Sequence, residues 1–437
     1  MNVHDTERMV GMFLEQGYEV ADAPQAADVV LVNTCAVREK PERKLFGELA
    51  RLKALKKSNP NLIIAVTGCM APRDADLIRA RAPYVDLLVG PRSLHRLPEL
   101  VRQVELQRLP IDAVDLEDDP TPVTPVRRTG TVCAWVDVMF GCSFQCTFCA
   151  VPTARGAERS RSPQQILEEI DELVSLGYRE ITLLGQTVNA YGRDVRYRFE
   201  DPNARERDRC DFAWLLEQIN ERASSLRVRF TSPHPQLFTR RLIKAIAELP
   251  TVCEHIHLPL QSGDDQILRQ MKRNYTFRQY RTIVEKLRQA APDISISTDL
   301  IVGFPGETED QFQATLRAVE EIQFDQAFMF AYSPRRHTEA WDFAGTIAPE
   351  IQKQRLQVLI ELVNTTAQQI NRKKLGRLFE VLVEGPSEKN PERLCGRTRT
   401  GKLMIFDGSR DLIGKLVQVR ADRAFLWGFS GEVVGTP

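Results

Sequence analysis

Residues 132–150 read VCAWVDVMFGCSFQCTFCA, and they decide the architecture of the middle of the chain. The first eight positions, Val132–Met139, are almost all apolar or β-branched, the composition of a strand covered on both faces. Directly after them come Cys142, Cys146 and Cys149, three thiols within eight positions. From Pro163 the stretch PQQILEEIDELVSLG then shows the 3.6-residue apolar spacing of a helix. The same alternation recurs downstream in EITLLGQ, LRVRFTS, EHIHLPL, ISISTDLIVGF and FDQAFMFAYS, and each of the first five strands is followed by a helical pattern. Six strands in βα repeats predict an open six-stranded β/α barrel rather than a flat sheet, with function on the loops after the strands.

Upstream, DVVLVNTC from Asp28, NLIIAVTGC from Asn61 and YVDLLVG from Tyr84 alternate with charged helical stretches. This predicts an N-terminal doubly wound parallel sheet. Cys35 and Cys69 then lie just past the carboxyl ends of adjacent strands, where such sheets place their ligands. The opening DTERMVGMFLEQG reads as an amphipathic helix with Asp5 as its N-cap and with no strand before it. The chain is therefore expected to begin inside this domain. Residues 107–128 carry four prolines and none of the periodicity expected of folded elements, and read as a linker. After a long helix from about Pro349 to Lys374, the short strands FEVLVEG, KLMIFDG, KLVQVRA and FLWGFSG predict a small C-terminal β-barrel. The fold class is thus α/β throughout the first two domains, with expected boundaries at 1–106, 107–128, 129–366 and 367–437.

Composition bounds the function. With 437 residues, 43% hydrophobic, 27% charged and a mean hydropathy of −0.30, the chain is long enough for two or three domains. It has no apolar run long enough to span a membrane, and its first residues are polar where a signal peptide is basic and then apolar, so a soluble, cytoplasmic protein with no membrane partner is expected. The 59 basic and 59 acidic residues cancel. That balance is uneven, since residues 371–437 hold 13 Lys and Arg against 8 Asp and Glu. A local basic module of this kind suits RNA.

Nine cysteines in such a chain are too sparse for a disulfide scaffold, and their clustering argues for metal or cluster ligation. A 4Fe-4S cluster held by three thiolates instead of four keeps one iron open to substrate, as catalytic metal sites do. The alternative is structural zinc with Cys133 as fourth ligand, in a non-catalytic RNA-binding protein.

The Cys-x3-Cys-x2-Cys loop opening a six-strand βα domain resembles the radical S-adenosylmethionine superfamily. NTCAVRE, GCMAPR, CTFCAVPTARGAERSR, LLGQTVNAYG, FTSPHP, EHIHLPLQSG, IVGFPGETEDQF and AFMFAYSPR, in this order, resemble the methylthiotransferases along essentially the whole chain. The GQTVNAYG form is similar to the tRNA-modifying branch rather than the ribosomal-protein branch, and the C-terminal barrel is similar to a TRAM domain.

The resemblance implies two 4Fe-4S clusters. One is held by Cys142, Cys146 and Cys149 and binds S-adenosylmethionine at its open iron. An auxiliary cluster is held by Cys35, Cys69 and a cysteine of a Gly-Cys-Gln-Met-Asn segment, of which this sequence carries only the last two residues as Met1 and Asn2. It further implies a 2-methylthio group placed on N(6)-dimethylallyladenosine beside the anticodon, with the tRNA anticodon arm, an electron donor protein and a sulfur source as partners. Another tRNA adenosine derivative or a ribosomal protein is the substrate alternative. Gln186, Asn189, Gly303 and Glu307 are the expected cofactor contacts. Arg155, Arg159 and Arg161 are expected to meet phosphate.

Overall fold

The computed structural model describes residues 1–35, 39–116, 124–194 and 210–435. They form two compact units. The first comprises the chain up to Thr129 together with Met139–Arg161 and Ser333–Trp341; the second comprises Gly130–Val138, Ser162–Tyr332 and Asp342 onward. The cysteine loop, expected to belong to the central domain, thus packs with the N-terminal unit.

In the first unit, helix α1 (Asn2–Glu15) is followed by β1 (Val29–Thr34), α2 (Glu39–Ser58), β2 (Ile63–Gly68), the short helices α3 (Met70–Arg73) and α4 (Ala75–Arg81), β3 (Leu87–Val89), α5 (Leu97–Gln107) and β4 (Ile111–Ala113). The four strands pair in parallel in chain order. Both faces are covered, as continuous apolar strands require. On one face Ile64, Val66 and Leu88 pack against Leu45, Leu49 and Leu52 of α2, and on the other Ile63, Ala65, Leu87 and Val89 pack against Met9, Met12 and Phe13 of α1 and Leu97, Leu100 and Val101 of α5.

Two expectations are corrected here. The stretch read as a linker over 107–128 begins with strand β4, paired with β3 at Leu87–Ile111; three residues between prolines are too few to show a period, and pairing with a formed edge supplies what local pattern lacks. Residues 117–123 of that stretch lie outside the described residues. Asp5 is not the helix cap, because α1 already starts at Asn2 and buries Asp5 in its first turn.

In the second unit, β5 (Cys133–Asp137) leads toward β6 (Met139–Phe140), α6 (Val151–Arg155) and β7 (Arg159–Ser160), all three in the first unit. The chain then returns through α7 (Pro163–Ser175), β8 (Glu180–Leu184), α8 (Phe212–Arg222), β9 (Arg227–Phe230), α9 (Arg240–Glu248), β10 (His255–His257), α10 (Asp265–Gln270), α11 (Phe277–Ala290), β11 (Ser295–Val302), α12 (Glu309–Ile322) and β12 (Gln326–Ala331). Strands β5, β8 and β9 form one parallel sheet and β10, β11 and β12 another. A parallel bridge between Val228 and Val252 joins them, with the Cys253 N–H donating to the Val228 carbonyl at 3.0 Å. All six strands therefore run parallel and in chain order, as the βα repeats predict.

Helix α13 (Pro349–Arg372) packs on β12 and leads to β13 (Leu378–Ser387), β14 (Asn390–Thr398), β15 (Leu403–Phe406), β16 (Leu416–Phe425) and β17 (Gly428–Gly435). These close a barrel around Val381, Val383, Leu394, Met404, Phe406, Val417, Val419 and Phe429. Strand β14 (NPERLCGRT) was not expected, since its only strongly apolar side chain pointing inward is Leu394. Phe429 is wholly buried and stacks on Phe379 with centroids 5.1 Å apart, while Trp427 stands half-exposed beside it in sequence. The barrel is fastened to the strands of its unit by ion pairs of Arg227 with Glu380, Arg399 with Glu254 and Lys402 with Asp325.

Candidate metal centre

All nine cysteines are thiols. Five of them, Cys35, Cys69, Cys142, Cys146 and Cys149, belong to the first unit. Strands β1 and β2 are in register at Thr34 and Gly68, so Cys35 and Cys69 each stand one residue beyond a paired position. The Cys69 N–H donates to the Thr34 carbonyl at 3.2 Å. Gly68 has φ +86°, and a Cβ there would lie 2.3 Å from the Thr34 carbonyl oxygen. Only glycine allows the two strand ends to approach this closely.

The loop carrying Cys142, Cys146 and Cys149 is pinned at both ends. The Cys142 N–H donates to the Gly156 carbonyl at 3.0 Å, and Met139 and Phe140 pair with Ser160 and Arg159. Within it the Cys149 N–H turns back to the Cys146 carbonyl at 3.0 Å, and the Val151 N–H, at the start of α6, points at the Cys149 sulfur at 3.5 Å. Among the described residues no three His, Cys, Asp or Glu side chains converge on one point as the ligands of a single metal ion do. Three thiols on an irregular loop, one of them facing a backbone N–H, fit the donor set of an iron–sulfur cluster, whose cysteines each address a separate iron.

Cys133, the fourth ligand that structural zinc would need, is on β5 of the second unit. Burial and the nearby carboxylates of Glu180 and Glu384 push its thiol well above the ordinary range, which disfavours a thiolate there.

Sequence reasoning missed the chief role of Arg155. Expected to meet phosphate, it is 6% exposed and its Nε donates to the Cys69 sulfur at 3.1 Å while Nη2 donates to Asp5 Oδ2 at 2.5 Å. Burial alone would lower its pKa; Asp5 and the Cys69 sulfur outweigh that and hold the guanidinium charged. Asp5 in turn is kept below the usual carboxylate range, the penalty of burial being overcome by Arg155 and Arg8. Arg92, just after β3, donates from Nε to the Arg155 carbonyl at 2.8 Å and from Nη2 to the Ala157 carbonyl. The segment after the cysteine loop is thereby gripped by residues from the ends of β2 and β3. No local signal marked this, since α1 also buries His4, Glu7 and Arg8 and Asp5 does not stand apart from them. Arg161 is also buried, whereas Arg159 is exposed.

The expected cofactor contacts lie in the second unit. Gln186 is half-buried on the loop after β8. Asn189, on the same loop, uses its carboxamide to bracket His234, donating to its carbonyl at 3.0 Å and accepting from its N–H at 2.8 Å. Its observed work is joining two loops. Gly303 has φ +71°, with its N–H donating to Glu307 Oε2 at 2.7 Å and its carbonyl accepting from Gln352 Nε2 at 2.9 Å. Glu307 also receives Arg355 Nη1 at 2.8 Å and is buried. GFPGE is thus a turn tied by its own glutamate, with Thr308 capping α12 in a capping box.

On the face of β10 and β11 opposite Ile256 and Ile296, His255 Nε2 lies 3.3 Å from Ser297 Oγ, Ser297 Oγ 3.0 Å from His257 Nδ1, and His257 Nε2 3.3 Å from Asp299 Oδ2. Phe328 of β12 meets the His257 ring edge-on at 5.7 Å and is 43% exposed. His234 caps a 3-10 turn through Nδ1, and burial pulls its pKa down to about 2. It serves as a structural group rather than an acid or base.

Comparison with known proteins finds relatives along the whole chain. Residues 136–319 match the Radical SAM superfamily, residues 1–90 match the Uncharacterized protein family UPF0004 and residues 372–434 match the TRAM domain. A solved structure of the radical S-adenosylmethionine methyltransferase TsrM from Kitasatospora setae, with cobalamin and a [4Fe-4S] cluster bound, shares the fold with a TM-score of 0.58 at 14% identity, over 77% of this chain and 73% of that one. The tRNA-2-methylthio-N(6)-dimethylallyladenosine synthase of Moorella thermoacetica is 46% identical over 99% of this chain and 96% of its own. The enzymes of that name from Symbiobacterium thermophilum and Bacillus subtilis are 44% and 43% identical, over 93% and 84% of their lengths. This chain belongs to the tRNA-2-methylthio-N(6)-dimethylallyladenosine synthase family.

Proposed function

We propose that this chain is a radical S-adenosylmethionine methylthiotransferase that converts N(6)-dimethylallyladenosine beside the anticodon of tRNA to its 2-methylthio derivative. Full-length identity of 43–46% to enzymes of that name carries the reading, and the five cysteines gathered in one unit support it. Cys142, Cys146 and Cys149 would hold one 4Fe-4S cluster, and Cys35 and Cys69 would contribute to a second. S-adenosylmethionine held there would supply, on reductive cleavage, a radical able to take hydrogen from carbon 2 of the base, and a second molecule would supply the methyl group.

The chain's own part is to hold and to orient. The Gly156 carbonyl and the β6–β7 pair fix the cysteine loop, and the Val151 N–H steadies the Cys149 sulfur. In the C-terminal barrel, exposed Arg420 and Arg423 and the half-exposed indole of Trp427 suit a phosphate backbone and an unstacked base. An electron donor protein and a sulfur source complete the proposed partners, and the cytoplasm is the proposed compartment. No helix among the described residues is long and apolar enough to cross a membrane.

The test is single-turnover assay of anaerobically reconstituted protein with tRNA carrying N(6)-dimethylallyladenosine. The 2-methylthio nucleoside should form with the parent chain and not with C146A. Stoichiometric zinc without cleavage of S-adenosylmethionine would sink the reading.

A further inference from the structure

On the face of the β10–β12 sheet opposite the wholly buried Ile256 and Ile296, a chain of polar side chains crosses two strands and ends beside an exposed ring. His255 and His257 flank Ile256 on β10, Ser297 pairs with His257, and Asp299 pairs with Phe328 of β12, so the register puts all five side chains on one face. Ser297 Oγ links the two imidazoles, and His257 Nε2 faces Asp299 Oδ2 at 3.3 Å. Burial, aided by the charge of Arg229, pulls His255 down to about 3, so its ring is neutral. Both His257 nitrogens are thus engaged by neighbours, and Phe328 closes on the ring with the two planes 67° apart. The chain ends on a carboxylate whose side chain is 29% exposed and whose Oδ1 has no partner among the described residues. Phe328 beside it is 43% exposed. A single exposed apolar side chain calls for no explanation. One seated against a carboxylate that a histidine backs is different, because the pair offers an apolar plane with a directed acceptor at its edge. That is what an unstacked base with an exocyclic N–H requires.

Resting on the reading of this chain as acting on N(6)-dimethylallyladenosine, we infer that this face seats the modified base. Phe328 packs on its ring and its dimethylallyl group, and Asp299 accepts its one N(6)–H. The adenosyl part of S-adenosylmethionine has the same chemistry, an adenine with hydrogen on N(6), so the experiment separates the two sources.

Three anticodon stem-loop RNAs, differing only at the position beside the anticodon, are titrated against the reconstituted full chain. One carries N(6)-dimethylallyladenosine, one its N(6)-methyl derivative, which has no N(6)–H, and one no base. The parent should bind the first at least about tenfold more tightly than the second, because the second leaves the carboxylate without its donor. D299L should bring these two within about threefold of each other. F328L, which keeps apolar bulk but loses the ring, should weaken the first about tenfold. Binding of the RNA without a base should be unchanged in both variants, which separates loss of a seat from damage to the fold. Equal binding of the first two RNAs by the parent overturns the inference without any variant, and so does full preference retained in D299L and F328L. Variants that lose S-adenosylmethionine in equilibrium dialysis while keeping the RNA preference place the cofactor on this face, and overturn it too. A parent that binds the dimethylallyl and baseless RNAs alike overturns the reading of the substrate, and the inference with it.

Discussion

The carboxyl ends of β1 and β2 and the amino ends of β5, β8 and β9 hold the same three kinds of residue and use them in opposite ways. At the first, Arg155 divides itself between a carboxylate and the sulfur of Cys69. At the second, Arg229 forms an ion pair with Glu180 at 2.9 Å and donates to the carbonyls of Thr398 and Arg399, and Arg227 donates to Glu380 and the Arg397 carbonyl. There the thiols of Cys133 and Cys253 are pushed up, chiefly by burial. A cysteine beside an arginine is therefore no sign of a ligand. What separates the two regions is where the N–H groups point: at sulfur in one, at oxygen in the other.

That contrast can be broken most directly at the cysteines. C146A should abolish most of the reconstituted iron and C253S should leave it unchanged, by iron and acid-labile sulfide analysis. Loss of iron in C253S would erase the distinction. Next in size, R229M strips a buried ion pair of one partner and should cost about 3–5 kcal/mol in urea unfolding, whereas exposed R159M should stay within about 0.5 kcal/mol. Equal effects would mean that the oxygen-directed arginines are not the fastening they resemble.

Acid sharpens the comparison at a smaller scale. His234 titrates near 6.5 when unfolded and near 2 when folded, so between these values the unfolded chain binds the extra proton. Stability is whole above about pH 6.5 and falls as pH drops, by about 2 kcal/mol at pH 5. H234N should flatten that slope in pH-dependent urea midpoints while leaving iron content alone. The smallest effect is expected from T308A, which removes the cap of α12 and should cost about 1 kcal/mol without any change in iron. On the barrel, R420S/R423S should weaken tRNA binding and reduce its salt slope by about one per lost phosphate contact.

Much of this was legible in the sequence because period and chain order are local. Alternating strands and helices predict the parallel order of both sheets, and Cys35 and Cys69 follow their strands as read. What local pattern cannot show is which partner a polar residue finds across the chain. Asp5 and Arg155 are 150 residues apart, and each alone has an ordinary surface reading, a cap and a phosphate contact. Asn189 and His234 likewise meet only once the loops after β8 and β9 are adjacent. Short or polar strands escape for a different reason: β4 and β14 are specified by the neighbours they pair with, Leu87–Val89 and β13, more than by their own side chains.

The last strand of the barrel has a mechanical consequence. Strand β17 lies between β15, parallel to it, and β16, antiparallel to it. A pull on the carboxyl terminus loads the β16 ladder as a zipper but the β15 ladder in shear, where several hydrogen bonds must give way together. Gly428 and Gly431 bring β17 so near its neighbours that an added Cβ would lie 1.9 Å from the Leu403 carbonyl oxygen and 1.8 Å from that of Arg420. The seam that closes the barrel is thus also its mechanical lock, and a methyl group at either glycine should be enough to spring it.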